Sequence, residues 1–553
     1  MSREPLRLDA ASVVAPQVPV RLRQDYARRG YTTDQLVTTL VERAARLWPA
    51  KAALVDQDRQ LSYQQLGDLV SRAAGWLSAA GLLPGDVVLW QTPNWWEAQV
   101  LALASWQVGA VSAPVVPFYR ERELRQILEQ VRPSVVIAPV THRGFAHAEA
   151  LDDLLDAAGL GAVRRIVLRG DRRGWTTADE VLSHPQSAPA AVTSPDAPCL
   201  VLFTSGTTSA PKGAVHSSRT LLAESRQLVD AWGLSYEDTA YMAAPLQHIT
   251  GLLNAMTMPA LVGARAVLAE RWDPPQAVRD VLRHRVTYSA GATVFLHELT
   301  EAASAVGARL PLRMFACGGA PVPRSVMERS EERGIPAARV YGMTELPTVT
   351  VMNASSPFPQ RAETDGALAP GVELKVVDED GTELPPGRAG ELLVRGPERM
   401  IGYLDAPSND AALDADGWFR TGDVGVLGGQ HVTITGRLKD IINRGGEKFS
   451  TREIEDLLTA HSAVRAAAVV PAQHGRLGEV PVAFVVLDGD ASISIEDLQA
   501  HLLSQGLARQ KTPVDYQFVE GLPMTPSGKI KKFELTRLLG EPPTSAYQQG
   551  STA

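Results

Sequence analysis

The sequence contains little of what would mark a secreted, metal-binding or membrane-spanning protein. Two cysteines, Cys199 and Cys317, occur in 553 residues, which argues against a disulfide framework and against a cysteine-based metal site. No apolar run approaches the roughly 18 residues of a membrane-spanning helix. Residues 1–30 also lack the apolar centre of a secretory signal. We therefore expect a cytoplasmic protein with no membrane span.

The chain also lacks an excess of positive charge. It has 54 Lys and Arg against 62 Asp and Glu, a formal net charge of −8. Such a chain offers no basic field to nucleic acid or to an anionic membrane, and we expect neither as a partner. The hydrophobic content of 45% is that of an ordinary globular protein, and 553 residues are too many for one compact core. Two or more domains are expected.

What the sequence does contain is an alternation of helical and strand patterns. Leu36, Leu40, Ala44 and Leu47 recur at helical spacing, and we expect Asp34 to cap this helix and Pro49 to end it. Short apolar runs that predict strands follow at Ala52–Val55, Val87–Trp90, Pro133–Ala138 and Ile166–Leu168. Strands that alternate with helices predict an α/β fold of layered, mainly parallel sheets.

The pattern changes near residue 439, where we place a domain boundary. Residues 1–438 form the large α/β domain, and residues 439–553 are expected to form a small α+β domain. The predicted elements of the small domain are helices at Glu453–Ala460 and Ile495–Leu503 and strands at Ala466–Val470, Val482–Leu487 and Tyr516–Val519. The polar tail 541–553 is predicted to be disordered.

The most informative segment is Leu202–Ser217, LFTSGTTSAPKGAVHS, which follows an apolar run that predicts a strand. Hydroxyls, glycines and a lysine crowd the loop after that run. Bound oxyanions need many converging donors, so this loop predicts a polyphosphate site. The segment is not a Walker A loop, because no Ser or Thr follows its Gly and Lys at the required spacing. A nucleotide held in another way is expected.

Five further segments follow it in order. They are Pro245–Gly251 (PLQHITG), Gly318–Pro321 (GGAP), Tyr341–Glu345 (YGMTE), Gly417–Asp423 with Gly436–Asp440 (GWFRTGD and GRLKD), and Pro523–Lys529 (PMTPSGK). Together the six segments resemble the adenylate-forming superfamily of acyl-CoA synthetases, peptide-synthetase adenylation domains and luciferases. The resemblance implies an ATP- and acid-binding large domain, a mobile C-terminal lid, and ATP, Mg²⁺ and CoA as cofactors. It implies that a carboxylate attacks the α-phosphate of ATP and that a thiol then takes the acyl group.

The resemblance also implies roles for individual residues of the large domain. Those expected at the β- and γ-phosphates are Thr204, Ser205, Gly206, Thr207, Thr208 and Lys212. Those expected around adenine and the acyl group are Gly319, Ala320, Tyr341 and Gly342. Thr344 is expected to donate to the α-phosphate, and Glu345 to bind Mg²⁺, a cation often held by one carboxylate plus phosphates.

Towards the end of the large domain, Asp423 and Arg437 are expected to bind the ribose. Lys439 falls at the family's hinge, and Gly445 and Gly446 fall where a pantetheine arm would pass. Lys529 is expected to bridge the incoming carboxylate and the α-phosphate, because a mobile cation can neutralise both anions.

Three features bear on the acid. His248 is expected to border the carboxylate, although many acyl-CoA synthetases carry Phe where this chain has Gln247. The small residues Gly291–Val294 either widen the acyl pocket or make a simple strand-to-helix turn. Pro245–Gly251 lacks the Asp that pairs with an amino acid's ammonium group, which disfavours amino acid substrates.

The N-terminal half, with Pro93–Glu97 (PNWWE) and Pro117–Glu123 (PFYRERE), looks most like ligases for cyclic or medium-chain acids, although Trp95 and Trp96 could equally be helix packing. A carboxylate–CoA ligase, monomeric or homodimeric, is the prediction. An aryl-acid enzyme that serves a carrier protein, an amide synthetase and a non-catalytic binder remain alternatives.

Overall fold

The computed structural model describes residues 4–9, 12–13, 15, 18–57, 59–204, 211–444, 447–489, 491–524 and 530–539. The chain divides into two compact units, Met1–Thr421 with Val426–Thr433 and Gly422–Gly425 with Ile434–Ala553. The predicted domain boundary at residue 439 falls near this division. The tail 541–553, predicted to be disordered, lies outside the described residues.

Helices and strands alternate along most of the chain. The strands are β1 (Ala52–Asp56), β2 (Arg59–Ser62), β3 (Val87–Trp90), β4 (Val111–Pro114), β5 (Val135–Pro139), β6 (Arg164–Leu168), β7 (Thr176–Thr177), β8 (Pro198–Thr204), β9 (Lys212–Ser217), β10 (Thr239–Met242), β11 (Arg265–Leu268), β12 (Tyr288–Gly291), β13 (Met314–Cys317), β14 (Ala337–Arg339), β15 (Thr350–Val351), β16 (Ala367–Leu368), β17 (Glu373–Val377), β18 (Ala389–Arg395), β19 (Gly402–Tyr403), β20 (Phe419–Gly428), β21 (His431–Arg437), β22 (Ile441–Arg444), β23 (Glu447–Ser450), β24 (Val464–His474), β25 (Gly478–Leu487) and β26 (Asp515–Phe518).

The α-helices are α1 (Val20–Arg28), α2 (Leu40–Leu47), α3 (Tyr63–Ala79), α4 (Trp96–Gln107), α5 (Glu121–Val131), α6 (His147–Ala157), α7 (Ala178–Leu182), α8 (Ser218–Trp232), α9 (Ile249–Leu252), α10 (Met258–Val262), α11 (Pro274–Arg283), α12 (Thr293–Ala305), α13 (Arg324–Glu332), α14 (Phe358–Glu363), α15 (Ala406–Ala412), α16 (Thr451–Thr459), α17 (Ile495–Ser504) and α18 (Lys532–Leu538). Among the described residues, no helix is both long enough and apolar enough to cross a membrane.

Two mainly parallel sheets form the core of the larger unit, which confirms the predicted α/β class. Sheet A has the strand order β14-β13-β12-β10-β11-β1-β2, with an antiparallel pair at β1 and β2. Sheet B has the order β19-β9-β8-β4-β3-β5-β6-β7, with β9 antiparallel to both of its neighbours.

Burial explains why the strand runs of the larger unit are continuously apolar. In β3, Val88 and Trp90 pack into one hydrophobic cluster, and Val87 and Leu89 pack into another. All four side chains are buried. Successive residues of a strand point to opposite faces, so a sheet covered on both faces needs an apolar residue at every position.

The remaining sheets are largely antiparallel. Sheet C has the order β15-β16-β21-β20-β18-β17, and the division between the two units runs through β20 and β21. Sheet D, in the smaller unit, has the order β23-β22-β25-β24, with β26 added parallel to β25. Helices α16 and α17 pack on sheet D, as the predicted α+β class requires. Sheet C was not predicted.

The first predicted helix begins later than its apolar spacing suggested. Helix α2 starts at Leu40, after a short 3₁₀ turn, and Thr39 occupies its N-cap position. Asp34 is therefore not the cap. Its carboxylate instead accepts a hydrogen bond from Arg219 Nη1 at 3.0 Å.

Candidate active site

Strands β8 and β9 bring the two ends of the hydroxyl-rich loop together. Thr204 ends β8 and pairs directly with Lys212, which begins β9. The Thr204 hydroxyl lies 3.5 Å from the Lys212 carbonyl oxygen. The predicted phosphate-binding residues between them, Ser205, Gly206, Thr207 and Thr208, lie outside the described residues. The strand pair thus presents a hydroxyl and a cation at one point.

Tyr403 connects this lysine to the predicted metal-binding carboxylate. Strand β19 adds to β9 with Tyr403 opposite Ala214, and Lys212 Nζ lies 5.3 Å from the centroid of the Tyr403 ring. The Tyr403 hydroxyl donates a 2.6 Å hydrogen bond to Glu345 Oε1. Burial, and then the negative charge of Glu345, raise the pKa of Tyr403, so its hydroxyl keeps the proton that it donates. The sequence analysis assigned Tyr403 no role.

Glu345 belongs to a loop, residues 341–350, that closes on itself. The carbonyl oxygen of Tyr341 accepts hydrogen bonds from the backbone N–H groups of Val349 and Thr350, at 3.0 and 3.1 Å. The Tyr341 N–H in turn donates to the Thr350 hydroxyl at 2.8 Å. Because these bonds join the two ends of the loop, Tyr341, Thr344 and Glu345 are presented by one fixed turn.

Gly342 is required by the tightness of this loop. A Cβ atom at position 342 would lie 1.9 Å from the carbonyl oxygen of Pro347. No real Cβ contact is that short, and the neighbour is backbone that cannot rotate away. The glycine of the Tyr-Gly-Met-Thr-Glu segment therefore has a structural reason to be there.

The loop is held from outside at Thr344 and at Glu345 itself. His216 Nε2 lies 2.8 Å from the Thr344 carbonyl oxygen, and the Met400 N–H donates to the Glu345 carbonyl oxygen at 2.9 Å. Full burial lowers the pKa of His216 to about 4, so the ring is neutral at neutral pH. A carbonyl can only accept, which assigns the ring proton to Nε2 and leaves Nδ1 facing the Thr220 hydroxyl at 3.2 Å.

A second glycine turn borders the loop. Gly318 and Gly319 follow β13, and a Cβ on Gly318 would lie 2.6 Å from the carbonyl oxygen of Val340, the residue before Tyr341. Gly319 has a φ of +78°, in the left-handed region that glycine tolerates. The turn that continues into Ala320 thus lies beside the loop at the carboxyl ends of parallel strands. Ligands of α/β sheets bind at such ends.

His248 lies in a segment that residues after β3 hold in place. It occupies the N-cap position of α9, and its N–H donates to the Pro245 carbonyl oxygen at 3.0 Å. The buried Gln247 side chain donates to the Thr92 carbonyl oxygen at 2.7 Å, and Asn94 Oδ1 accepts from the Leu246 N–H at 2.9 Å. Gln247, the departure from the family pattern, is therefore a packing residue that ties this segment to the end of β3.

Two features that the sequence left open between an acid site and packing make packing contacts. Trp95 and Trp96 are buried, and the guanidinium carbons of Arg169 and Arg59 lie 3.9 and 3.8 Å from their respective ring centroids. At Gly291 a Cβ would lie 2.6 Å from the ring of Phe295.

The glycine at position 291 therefore accommodates the ring of Phe295, which itself packs on Trp272 with centroids 4.7 Å apart. Whether Gly291–Val294 also widens an acyl pocket stays a prediction.

In the smaller unit the structure brings together the two residues predicted at the ribose. Arg437 Nε and Asp423 Oδ1 are 2.8 Å apart, with Asp423 buried and Arg437 partly exposed. Lys439 lies in the 3₁₀ turn Leu438–Asp440. Gly445, Gly446 and Lys529 lie outside the described residues.

Comparison with protein families agrees with this arrangement. Residues 41–404 match the AMP-binding enzyme family, and residues 453–529 match the AMP-binding enzyme C-terminal domain. The chain belongs to the AMP-binding enzyme family. The predicted superfamily is thereby confirmed.

Relatives of this AMP-binding enzyme match over nearly their whole length. A medium-chain fatty-acid–CoA ligase of Escherichia coli (strain K12) is 36% identical over 525 residues, 93% of this chain and 92% of the relative. An indoleacetate–CoA ligase of Aromatoleum aromaticum is 32% identical over 504 residues, 90% of this chain and 97% of the relative. The crystal structure of ATP-bound MatB from Rhodopseudomonas palustris has a TM-score of 0.81 at 29% identity, covering 91% of this chain and 98% of that one.

The AMP-binding enzyme is thus an ATP-dependent, AMP-forming acid–thiol ligase, and its cofactors are ATP, Mg²⁺ and CoA. The residues present fit a magnesium–nucleotide. Among the described residues, no group of three or more His, Cys, Asp or Glu side chains could hold a metal alone. Glu345 would supply one carboxylate and the bound phosphates the other ligands, as is usual for Mg²⁺. When bound, the cation would neutralise phosphate charge.

Proposed function

We propose that this AMP-binding enzyme converts medium-chain or cyclic carboxylic acids, without an amino group, into their CoA thioesters. The choice of acid rests on the 36% identity between this chain and the medium-chain fatty-acid–CoA ligase, over nearly the full length of both chains. The segment Pro245–Gly251 contains no carboxylate that could pair with a substrate ammonium group, which also favours a plain carboxylic acid.

The first half-reaction joins two anions. A carboxylate oxygen of the acid attacks the α-phosphorus of ATP, the bond to the bridging oxygen breaks, and pyrophosphate leaves. Positive charge and aligned donors at the phosphorus are the main requirement. Thr344 meets this requirement by donating to the α-phosphate, and Glu345 meets it by holding Mg²⁺. Lys529 supplies the mobile cation between the two anions.

Binding of the nucleotide uses the rest of the predicted set. The loop between Thr204 and Lys212 covers the β- and γ-phosphates, and Tyr341 stacks on adenine beside Gly319 and Ala320. Asp423 accepts from the ribose hydroxyls, which a carboxylate held by Arg437 is suited to do. His248 borders the acid.

The second half-reaction transfers the acyl group to sulfur. The thiol of CoA attacks the acyl carbon and AMP leaves with the electron pair of the broken C–O bond. The lid, residues 439–553, turns about Lys439 between the two half-reactions, so that Lys529 withdraws and the pantetheine arm passes Gly445 and Gly446. Such exchange between two arrangements is a known way to run two reactions at one site.

The test is a panel of linear, branched, cyclohexyl and aryl acids, each supplied with ATP and Mg²⁺, with and without CoA. Products are identified by mass. We expect an acyl-CoA product, with the highest kcat/KM for medium-chain or cyclic acids. An acyl-adenylate that accumulates and never reaches CoA would contradict the proposal, and would direct attention to a carrier protein or an amine as acceptor.

A further inference from the structure

The loop 341–350 is held by contacts from helix α8 and from the residue just before its N-cap. Helix α8 follows β9 directly, and its N-cap residue, Ser217, is next to His216. His216 holds the Thr344 carbonyl oxygen. Two helical turns further along, Glu224 points at Thr348. One continuous segment of the chain therefore holds the loop at two points, one on each side of Glu345.

Glu224 holds Thr348 by a buried hydrogen bond. The Thr348 hydroxyl donates to Glu224 Oε1. Glu224 has no exposed surface and Thr348 has 5%. A buried hydroxyl without a partner costs about 1–3 kcal/mol, so the position next to Thr348 needs a side chain that can accept a hydrogen bond. The carboxyl group of Glu224 meets that need, and a leucine of similar size would not.

The carboxyl group of Glu224 lies close to another buried one. Glu398 also has no exposed surface, and neither of its oxygens has a hydrogen-bond partner among the described residues. A Cβ on Gly396 would lie 2.6 Å from both Glu398 oxygens, so the backbone is closed over them. Burial, and then the charge of Glu398, raise the pKa of Glu224 well above its usual value.

Two other titratable side chains lie near the pair. Tyr26 of α1 lies near Glu398, and burial followed by that charge raises its pKa. Arg399 is buried beside Glu398, and burial lowers its pKa to about 10, so it remains a cation at neutral pH. Burial raises the pKa of Glu398 itself to about 7.

We propose that Glu224 is a positioning residue for adenylation, which fixes Thr348 and thereby the turn that presents Thr344 and Glu345. This inference rests on the proposed function for its effect on rate, but the hold on the loop can be measured without any substrate. Glu224 contacts neither the nucleotide nor the acid, and it affects adenylation only by holding the loop 341–350 in place.

The first test is hydrogen–deuterium exchange of the loop 341–350 in the full chain without ligands. Glu224→Leu removes the acceptor, and we expect amide exchange in this loop to become about tenfold faster. Glu224→Gln keeps an oxygen that can accept from the Thr348 hydroxyl and should restore slow exchange. The matched control is Ser225→Ala on the same helix, because Ser225 is also buried but its hydroxyl donates to the Leu221 carbonyl oxygen at 2.8 Å.

The second test is acid-dependent exchange of label between pyrophosphate and ATP over a range of Mg²⁺ concentrations. Glu224→Leu should raise the Mg²⁺ concentration for half-maximal rate about tenfold and lower kcat, with little change in the KM of the acid. Thr348→Val, which removes the hydroxyl that donates to Glu224, should show the same effect at about threefold. Glu224→Gln and Ser225→Ala should keep the wild-type Mg²⁺ dependence.

The outcomes separate this inference from the proposed function. If no acid supports label exchange in the wild-type chain, the proposed function fails, and the deuterium measurement alone decides the role of Glu224. If Glu224→Leu folds and leaves both deuterium exchange and Mg²⁺ dependence unchanged, Glu224 does not position the loop. If Glu224→Leu does not fold, Thr348→Val is used in its place, and unchanged exchange and Mg²⁺ dependence in that variant would contradict the inference.

Discussion

The hydroxyl of Tyr403 donates a 2.6 Å hydrogen bond to Glu345 Oε1, and the same tyrosine ring lies 5.3 Å from Lys212 Nζ. Tyr403, from the two-residue strand β19, thus contacts both Lys212, which follows the hydroxyl-rich loop, and Glu345 of the Tyr-Gly-Met-Thr-Glu turn. Glu345 is 9% exposed, so the oxygen that Tyr403 does not occupy is the one left to face a ligand. The bond fixes the direction of the carboxylate.

Removing this bond should weaken the use of magnesium. In Tyr403→Phe the ring and its contact with Lys212 remain, but Glu345 loses a charge-assisted hydrogen bond of about 1.5–3 kcal/mol. We expect kcat/KM for adenylation to fall about tenfold or more, with a higher Mg²⁺ requirement, measured by acid-dependent ATP–pyrophosphate exchange. Tyr236→Phe is the control, because Tyr236 is exposed. Unchanged Mg²⁺ dependence in Tyr403→Phe would show that the bond does not orient the carboxylate.

His216 should make the fold less stable in acid. The pKa of this histidine is lowered from 6.5 to about 4 by burial, so the unfolded chain takes up a proton at a pH where the folded chain does not. Its stability contribution is present above pH 6.5 and is lost as pH falls towards 4, by about 3 kcal/mol. In His216→Gln, chemical denaturation at several pH values should show that the free energy of unfolding falls less steeply as the pH decreases. His474→Gln, at an exposed position, should keep the wild-type slope, and an equal slope in both variants would contradict the prediction.

Glu398 should make the fold less stable as the pH rises, which is the opposite of the effect of His216. Burial raises its pKa from 4.5 to about 7, so it is most favourable when protonated. Its contribution is present below pH 4.5 and is lost as pH rises through 7, by about 3 kcal/mol. Glu398→Gln should therefore gain stability over wild type at pH 8 and little at pH 4.5. The comparison is made by denaturant titration at the two pH values, and no relative gain at pH 8 would rule out a buried, protonated Glu398.

Gly342→Ala should damage the loop directly. The added Cβ would lie 1.9 Å from the Pro347 carbonyl oxygen, so the loop must open or shift. We expect a loss of stability of about 2–4 kcal/mol, in the range of severe single substitutions, and adenylation reduced at least 100-fold. Gly428→Ala meets nothing within 4 Å and should behave as wild type in thermal unfolding and in activity. Normal activity of Gly342→Ala would mean that the loop tolerates the shift.

The fold and part of the site follow from local sequence. The apolar runs around Val87–Trp90 and Ile166–Leu168 predicted buried parallel strands because both faces of such strands must be apolar, and β3 and β6 lie there. The order of the motifs placed Thr204 with Lys212, and Asp423 with Arg437. Both pairs are in contact.

The other contacts of the candidate site join parts of the chain that are far apart in the sequence. Tyr403 and Glu345 are 58 residues apart, and His216 and Thr344 are 128 apart. Nothing in the sequence around Gly402–Tyr403 distinguishes that tyrosine from an ordinary core residue. Gln247 was recognised as a departure from the family pattern, but its bond to the Thr92 carbonyl oxygen becomes apparent once the strands are assembled.

The most direct test of this account is acid-dependent exchange of labelled pyrophosphate into ATP, without CoA, in the wild-type chain and in Glu345→Gln. The wild-type chain should exchange label when given a medium-chain or cyclic acid, because adenylation is reversible and needs no thiol. Glu345→Gln keeps the shape of the side chain but removes the charge that we propose holds Mg²⁺, and should lose at least 100-fold of the exchange rate with an unchanged melting temperature. Full exchange in Glu345→Gln, or none in the wild-type chain with any acid of the panel, would contradict the account.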